Sequence, residues 1–538
     1  MTRLRRSVAL AGAALIAFSA VSPAYAAGGF SVSGKSGPFI KQVSTRKVGG
    51  TGGGSARGLS DAINQGQYQA ARLRMPETEA KIKALLDRIE VQWPYEKSAP
   101  AQVYVLGVDN YSAYALPDGS IVVGFGLLDI AQSDDEVAFV LAHELGHLRL
   151  GHFERVDTPK RSGVGGAVAL LAVGAAVGSA GGFSGMDSGA LEAARMATAS
   201  GDLLKFVNLM DSPDHTIEQE DESDAIGFDL TNLTPYAAET ASARVFDTIQ
   251  ADADNRAKLS EQLGAQMKKQ LEGAVKDGSA VSTVMTGVSG GDIRGSLFRG
   301  AARVGLGMAA NRGEGPKHRT PEARKKGIAD YSVAAYPDGL PLRDEQKTWL
   351  DEVRGTREYA DARVTVQAVK AAMILRASGK YAEAEAELSK ANATSFRASP
   401  LVLNAAARVR GDMGDPDRSD QLFKQAHQSP DQTVDGYVDH VRMLYQAGRA
   451  DPAVAMVDEG SARFGGDDKP FLALLIGIYK QAGMSSEQAQ YFNRCVSYKD
   501  PGLSKDCEVA NGGAGSSQAS APRPGLPGLG GLGGLIGR

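Results

Sequence analysis

The sequence predicts an α+β protein that is mostly α-helical, with a small β-sheet in its first half and an α-solenoid of helical repeats in its second half. Three observations predict this fold. Short runs rich in β-branched and aromatic residues at 103–106, 114–116 and 121–123 indicate strands. Apolar residues at helical spacing follow from residue 134, and a helix–glycine–helix unit recurs in the last third of the chain.

A chain of 538 residues is too long for one hydrophobic core, so two or more domains are expected. Composition suggests the boundaries, because stretches rich in glycine, serine and proline are typical of linkers and disordered tails. The expected divisions are a flexible Gly/Ser-rich leader at 27–58, a first domain at 59–345, helical repeats at 346–500 and a disordered Gly/Pro-rich tail at 511–538.

The first 26 residues have the pattern of a secretory signal peptide. Three arginines precede an apolar run at 8–21, and a small-residue cleavage site ends at Ala26. We therefore expect export to the periplasm. Removal of the signal leaves 56 basic and 63 acidic side chains, a net charge of −7, which argues against nucleic acid as a partner.

An uncharged segment at 162–186 is dominated by alanine and glycine. It is long enough to span a bilayer, but these two residue types drive insertion only weakly. Three structures stay open for it: a membrane span, a lid or hairpin that touches a membrane surface or a partner, and a buried helix.

The most specific chemical pattern is His143-Glu144-Leu145-Gly146-His147, an HExxH motif. Two histidines four positions apart lie on one face of a helix, so both imidazoles reach a single metal ion. The glutamate between them is placed to act as general base on a water at that metal. The chain has only seven histidines, which makes a chance pairing less probable. Residues 59–345 are therefore expected to form a zinc metalloprotease domain.

The strand signals before the motif predict a site for substrate. A turn at Pro117-Asp118-Gly119 joins the last two strands. We expect Tyr114, Ala115 and Leu116 to form an edge strand that holds an extended peptide through main-chain hydrogen bonds.

A catalytic zinc has three protein ligands and one open position, so a third ligand is needed. The acid-rich run at 218–224 is the candidate, and Glu220 on the metal would place Asp224 one turn later on the same face. Spacing does not choose among these acids, and a solvated helix start gives the same pattern. His215 could also reach the site, although we expect that it does not. His152 is expected to cap the metal helix.

Four turns recur in the last third of the chain. Their glycines, Gly379, Gly414, Gly448 and Gly483, are separated by 35, 34 and 35 positions. A period near 34 is typical of tetratricopeptide repeats, whose concave face binds extended or partly folded protein. An unrelated helical bundle is the alternative.

The two cysteines of the chain, Cys495 and Cys507, are twelve positions apart. In an exported protein this spacing favours a disulfide that closes a small loop near the end of the last repeat. The alternative is two free thiols.

The HExxH motif with Glu220 and Asp224 downstream resembles the gluzincin metallopeptidases, which include the HtpX and CAAX-prenyl endopeptidases. The resemblance to the BepA-like branch is closer still, because the stretches 110–119 and 126–128 and the terminal repeats are similar too. It covers roughly residues 75–500. The resemblance implies one zinc ion held by His143, His147 and Glu220, with Glu144 as general base.

The same resemblance implies a gate at the metal. The family carries a histidine segment after the third ligand, and His318 is its counterpart here. His318 would cap the zinc and hold the enzyme shut, while Arg324 would be an oxyanion or structural partner and Asp224 would orient a ligand histidine. Two departures stand out: Arg319 replaces the proline of the family segment, and the usual arginine before the third ligand is missing.

These features predict a zinc-dependent endopeptidase of the cell envelope. Its expected substrates are unfolded or misassembled outer-membrane proteins, with possible contacts to the outer-membrane assembly machinery through the repeats and to a membrane surface. The alternative is a chaperone-like repeat scaffold for outer-membrane protein assembly with little proteolytic activity.

Overall fold

The computed structural model describes residues 30–45, 70–95, 100–116, 118–152, 215–276 and 319–511, together with residues 195, 199, 202 and 203. Four predicted features lie outside these residues and stay predictions: the signal peptide, the uncharged segment at 162–186, the role of His318 and the tail beyond Asn511. Within the described ranges, no helix combines the length and apolar character needed to cross a bilayer.

A four-stranded sheet organises the described part of the first domain, with strand order β1-β2-β4-β3. The central pair β2 and β4 is parallel, and both outer pairs are antiparallel, so β3 lies at an edge. The strands are β1 (Arg72–Leu73), β2 (Gln102–Leu106), β3 (Ala113–Ala115) and β4 (Ser120–Gly124). The three predicted strands are present, and Gly119 makes the predicted turn with a φ of 88°.

Helices pack against this sheet and carry the HExxH motif. Their bounds are α1 (Pro76–Glu90), α2 (Phe125–Ile130), α3 (Asp134–Leu150), α4 (Ile217–Leu233), α5 (Ala238–Lys276), α6 (Pro321–Ala335) and α7 (Thr348–Arg354). Helix α3 begins after Ser133, whose hydroxyl accepts the Glu136 N–H, and ends at Gly151 in the left-handed conformation.

The first two residues of α3, Asp134 and Asp135, link the helix to other segments. Both side chains are buried, and each accepts hydrogen bonds from main-chain N–H groups of other segments. Asp134 accepts from Trp349 and Leu350 at the start of α7, and Asp135 accepts from Ala237 just before α5. The first turn of α3 is therefore a junction at which distant helix starts are capped.

Part of the predicted flexible leader is instead packed on the domain. Residues 30–45 form two short 3₁₀ helices, and Ile40 and Val43 are buried. The Ile40 N–H donates to Asp229 on α4 at 2.8 Å. The expectation of a flexible leader is therefore wrong for residues 30–45, because apolar side chains within the Gly/Ser-rich stretch have a surface to bury against.

A row of helix pairs follows, here called the helix-pair array (residues 357–511). Its turn glycines, Gly379, Gly414, Gly448 and Gly483, have φ values of 73°, 82°, 73° and 71°, a region that side chains disfavour. Its helices are α8 (Arg357–Ala377), α9 (Tyr381–Asn392), α10 (Pro400–Asp412), α11 (Pro416–His427), α12 (Val434–Gln446), α13 (Ala450–Arg463), α14 (Leu472–Gln481), α15 (Ser485–Ser497) and α16 (Pro501–Asn511). A disulfide between Cys495 and Cys507 joins α15 to α16.

The array and the first domain share one hydrophobic core, which continues from the sheet and α3 into α8, α9 and α10. Polar contacts reinforce the junction. The Tyr359 hydroxyl donates to Asp129 at 2.6 Å, and the Thr78 N–H donates to Glu358 at 2.9 Å. The two halves are therefore packed together rather than joined by a linker.

A buried polar chain crosses the middle of the array. Nε2 of His440 lies 2.8 Å from Asp420, and its Nδ1 lies 2.9 Å from Nε2 of His427. Nδ1 of His427 lies 2.9 Å from the amide nitrogen of Gln432, which also exchanges hydrogen bonds with Asn404. Every donor meets an acceptor when both histidines are neutral: Gln432 donates to His427, His427 to His440, and His440 to Asp420.

This arrangement resists protonation. Burial, assisted by the positive charge of Arg463 and by the repulsion that a protonated His440 would exert, lowers the pKa of His427 to about 3. Burial also lowers the pKa of His440, although the hydrogen bond to Asp420 opposes this shift and Lys424 adds to it. The folded array therefore holds both imidazoles neutral at pH values where an unfolded chain would protonate them.

We expect the array to lose stability as the pH falls below about 6.5, the usual histidine pKa of an unfolded chain. Below this pH, His427 binds a proton in the unfolded state but not in the folded state. The free energy of unfolding therefore falls by about 1.4 kcal/mol per pH unit, or about 2 kcal/mol at pH 5. Urea unfolding followed by circular dichroism at pH 7.5 and pH 5 measures this loss. The variant His427→Gln can still donate to His440 but cannot titrate, so its loss should be smaller by about that amount. Equal losses in both proteins would refute the assignment.

Candidate metal centre

The centre forms where α3 and α4 cross at close range. A Cβ atom added at Gly227 would lie 3.1 Å from the backbone nitrogen of His143, and one added at Gly146 would lie 3.3 Å from Cα of Ser223. Glycine at both positions therefore lets the two helices approach backbone to backbone. This crossing places the first acids of α4 opposite the HExxH motif.

Three side chains converge at the crossing: His143, His147 and Glu220. Nε2 of His147 lies 3.1 Å from Nε2 of His143 and 3.5 Å from Oε1 of Glu220. Oε2 of Glu220 lies 3.8 Å from Nε2 of His143. All three residues are buried, and among the described residues they alone have the spacing of a metal-ligand group.

These separations fit zinc. Ligand atoms about 2.1 Å from a tetrahedral zinc ion lie about 3.4 Å from one another, close to the three distances observed. Two imidazoles and one carboxylate are also the donor set of several catalytic zinc sites, in which a fourth position stays open. The cluster thus fits one zinc ion, and within the acid-rich run Glu220 is the residue that joins the histidines.

Asp224 and Arg324 orient the first of these histidines. Oδ1 of Asp224 lies 3.0 Å from Nδ1 of His143, which leaves Nε2 directed at the cluster. Arg324 donates to both carboxylate oxygens of Asp224, at 2.8 and 2.6 Å, and its Nη2 lies 3.4 Å from Glu220. Burial alone would raise the pKa of Asp224, but Arg324 and His143 lower it. Arg324 is thus a structural partner of the two acids.

The second histidine is held by residues for which the sequence predicted other roles. Nδ1 of His152 lies 2.8 Å from Nδ1 of His147, and its Nε2 lies 3.2 Å from Glu222. His152 therefore supports a ligand, and Gly151 ends the helix instead. The expectation that His215 does not reach the metal site is wrong, because its ring stacks on that of His147 with centroids 4.0 Å apart.

A sequence signal for the role of His152 was available. A left-handed glycine at a helix end turns the chain back over the last turn, so the residue after Gly151 returns towards His147. His215 had no comparable signal, since its contact depends on how the chain between α3 and α4 folds.

Glu144 lies between the metal-ligand cluster and the edge strand. Its Oε2 accepts the Ala115 N–H at 2.7 Å, and its Oε1 lies 4.0 Å from Nε2 of His143. Burial raises the pKa of Glu144 to about 7, although His143 and the Ala115 hydrogen bond oppose this shift. A carboxyl group with a pKa near neutrality can both accept and release a proton at physiological pH.

The strand expected to bind substrate is β3. Leu116 donates its N–H to the Ser120 carbonyl oxygen on β4, so the main-chain groups of Leu116 point towards β4. By alternation, those of Tyr114 also point towards β4. Ala113 and Ala115 direct their main-chain groups away from β4. Of the three predicted residues, Ala115 alone directs its main-chain groups towards the edge that a further strand would join, and its N–H there is donated to Glu144. The side chains of Tyr114 and Leu116 pack in a buried cluster.

Arg319 has a role that the sequence did not reveal. Its guanidinium donates to both carboxylate oxygens of Asp221, the residue after Glu220, at 3.0 Å. Asp221 also accepts the Ser31 N–H at 2.7 Å. Arg319 thus fixes the start of α4, and with it the position of Glu220.

We expect Asp224→Asn to weaken zinc affinity by about 10–100-fold, because the amide keeps the shape of the carboxylate but loses the charge that orients His143. Competition with a chromophoric chelator measures this affinity without any peptide substrate. Asp247→Asn is the matched control, since that carboxylate lies on α5 at the surface and pairs with Lys325. Equal zinc affinities for the wild type and Asp224→Asn would contradict the orienting role.

Comparison with known proteins agrees with this geometry. Residues 73–271 match the model of Peptidase family M48, a range that includes strands β2, β3 and β4, the HExxH helix and Glu220. A comparison with curated proteins finds no match. Peptidase family M48 is a family of zinc metalloproteases, and the matched range holds the buried His143, His147 and Glu220 cluster. The chain is therefore a zinc metalloendopeptidase.

Proposed function

We propose that this protein is a periplasmic endopeptidase that removes misfolded or misassembled outer-membrane proteins. One observation carries the proposal: the outward main chain of β3 lies directly beside Glu144 and the metal-ligand cluster. An extended peptide added to this edge as a further strand would pass over the catalytic groups. Unfolded and misassembled proteins expose such extended segments, whereas folded proteins do not.

The chemistry follows from the positions of these groups. His143, His147 and Glu220 would hold the zinc, which when bound would polarise the scissile carbonyl and lower the pKa of water towards about 7. Glu144 would accept a proton at Oε1 from the water that attacks this carbonyl, and would deliver it to the amine that leaves as the peptide C–N bond breaks. The Ala115 hydrogen bond fixes the other oxygen, so the carboxylate cannot rotate away from the reacting atoms.

The helix-pair array supports a role in client selection. Its glycine turns recur every 34 or 35 residues with the same backbone conformation, as tetratricopeptide repeats would require. We take the array as a repeat solenoid that binds clients and, through them, the outer-membrane assembly machinery. The signal-like N-terminus and the Cys495–Cys507 disulfide both support an oxidising compartment such as the periplasm.

The proposed gate is His318. It precedes Arg319, which is fixed to Asp221 beside the third ligand. A histidine supplied from this position as a fourth ligand would take the place that water needs and hold the site shut. His318→Ala would then raise the rate of cleavage.

A specific observation also favours the alternative, a chaperone-like scaffold with little proteolytic activity. His143, Glu144 and Glu220 are each less than 10% exposed, and the Ala115 N–H that faces the edge is already bonded. A site this closed must open before a substrate can enter. If the closed state dominates, the array carries the function.

Cleavage of an unfolded model protein by residues 27–538 tests the proposal. We expect Glu144→Gln to reduce the rate constant by about 10²–10⁴-fold, the usual contribution of a general base, with zinc content unchanged. Glu218→Gln is the matched control, because this acid is exposed on the same helix as Glu220 and should leave the rate unaltered. Zinc-loaded wild type and His318→Ala that both fail to cleave would favour the scaffold. Full activity in Glu144→Gln would overturn the assigned chemistry.

A further inference from the structure

Asp202 comes from the chain between α3 and α4, yet its carboxylate is buried among helices of the array. Nη1 of Arg376 donates to its Oδ2 at 2.7 Å, and Nη1 of Arg442 donates to its Oδ1 at 3.2 Å. All three side chains are buried. The arginines belong to α8 and α12, which are not consecutive along the chain, so one carboxylate bridges two separate pairs of the array.

The two arginines are held in place by the array itself. Nε of Arg376 donates to Asp412 at 2.5 Å, and Nη1 of Arg442 lies 3.1 Å from Asp439. Each guanidinium therefore keeps one acidic partner when Asp202 is taken away. A pair of arginines positioned in this way is preorganised to bind a carboxylate.

A third arginine adds to the positive field. Arg408 on α10 pairs with Asp439 and lies close enough to act on Asp202. Burial alone would raise the pKa of Asp202, but Arg442, Arg376 and Arg408 together lower it well below its usual range. Asp202 is thus held as a charged carboxylate.

Apolar side chains accompany the charge. Ala199 and Leu203 are fully buried in the shared core, one on either side of Asp202 in sequence. Positions 199, 202 and 203 are helical, and residues three and four apart share one helix face. The chain thus presents a carboxylate next to aliphatic anchors, which is the pattern of an amphipathic ligand.

We propose that Arg376, Arg408 and Arg442, here called the arginine groove, form a receptor for amphipathic protein segments that offer a carboxylate, and that Asp202 fills this receptor in cis. The trans ligand is a client or partner segment that offers an aspartate or glutamate beside an aliphatic side chain. The carboxylate of this segment replaces that of Asp202 on the guanidinium groups of Arg376 and Arg442. This binding involves neither zinc nor Glu144, so it stands apart from the proposed proteolysis.

A peptide derived from the chain itself is the probe. A fluorescent peptide with the sequence of residues 195–206 is titrated into residues 27–538 and followed by anisotropy, beside a matched peptide with asparagine at the position of Asp202. In a release variant, Asp202→Asn with Leu203→Ser, the cis ligand is weakened. We expect the aspartate peptide, which keeps Asp202, to bind the release variant at least ten-fold more tightly than the wild type.

The arginines should be required for this binding. Adding Arg442→Gln to the release variant, or using the asparagine peptide, should weaken binding at least ten-fold. Arg449→Gln is the matched control, because this arginine belongs to the array but pairs with Asp417 at the surface. Equal binding of the two peptides, or no binding to the folded release variant, would overturn the proposal.

A second measurement uses the unaltered protein and does not depend on how the variants fold. Excess aspartate peptide should speed amide hydrogen exchange in fragments that contain Asp202 and Leu203, and the asparagine peptide should not. Unchanged exchange with the aspartate peptide at saturating concentration would overturn the proposal as well. Neither measurement requires zinc or cleavage. A negative binding result therefore does not bear on the peptidase assignment, and a negative cleavage result does not bear on the arginine groove.

Discussion

Helices α3 and α4 touch backbone to backbone where Gly227 meets His143 and Gly146 meets Ser223. A side chain at either glycine would require the facing backbone to move by a few tenths of an ångström, which would disturb the spacing between Glu220 and the two histidines. The same crossing sets Asp224 under His143, so one contact determines both a ligand and the group that orients another ligand. Groups outside the crossing, such as Arg324, then tie the acids of α4 to α6.

The charges in this buried region are arranged in pairs. Arg324 offsets Asp224, and Arg319 offsets Asp221, each through hydrogen bonds to both carboxylate oxygens. Glu144 and Glu220 remain close to each other, and Glu220 helps to raise the pKa of Glu144. A bound divalent cation would offset the negative charge of both carboxylates. The charge of the metal and the protonation of Glu144 are therefore coupled.

Sequence patterns predicted the parts that depend on local spacing. The HExxH helix, the strands around β4 and the glycine turns of the array all have short-range signals, and each is present. The missed features depend on long-range contacts: His215 stacks on a residue 68 positions earlier, and residues 30–45 pack on α4. Asp134 and Asp135 looked like ordinary acids of a first helical turn, because the helix starts they cap are remote in sequence.

Two polar residues of the chain between His147 and Glu220 make contacts in different parts of the molecule. His215 stacks on His147 inside the metal centre, while Asp202 is held by Arg376 and Arg442 inside the array. Neither contact involves the partners of the other. A ligand that displaced Asp202 would therefore leave the stack on His147 and the His152 support in place. Metal affinity and occupancy of the arginine groove should accordingly vary independently, because a ligand shifts only those equilibria whose states it binds differently.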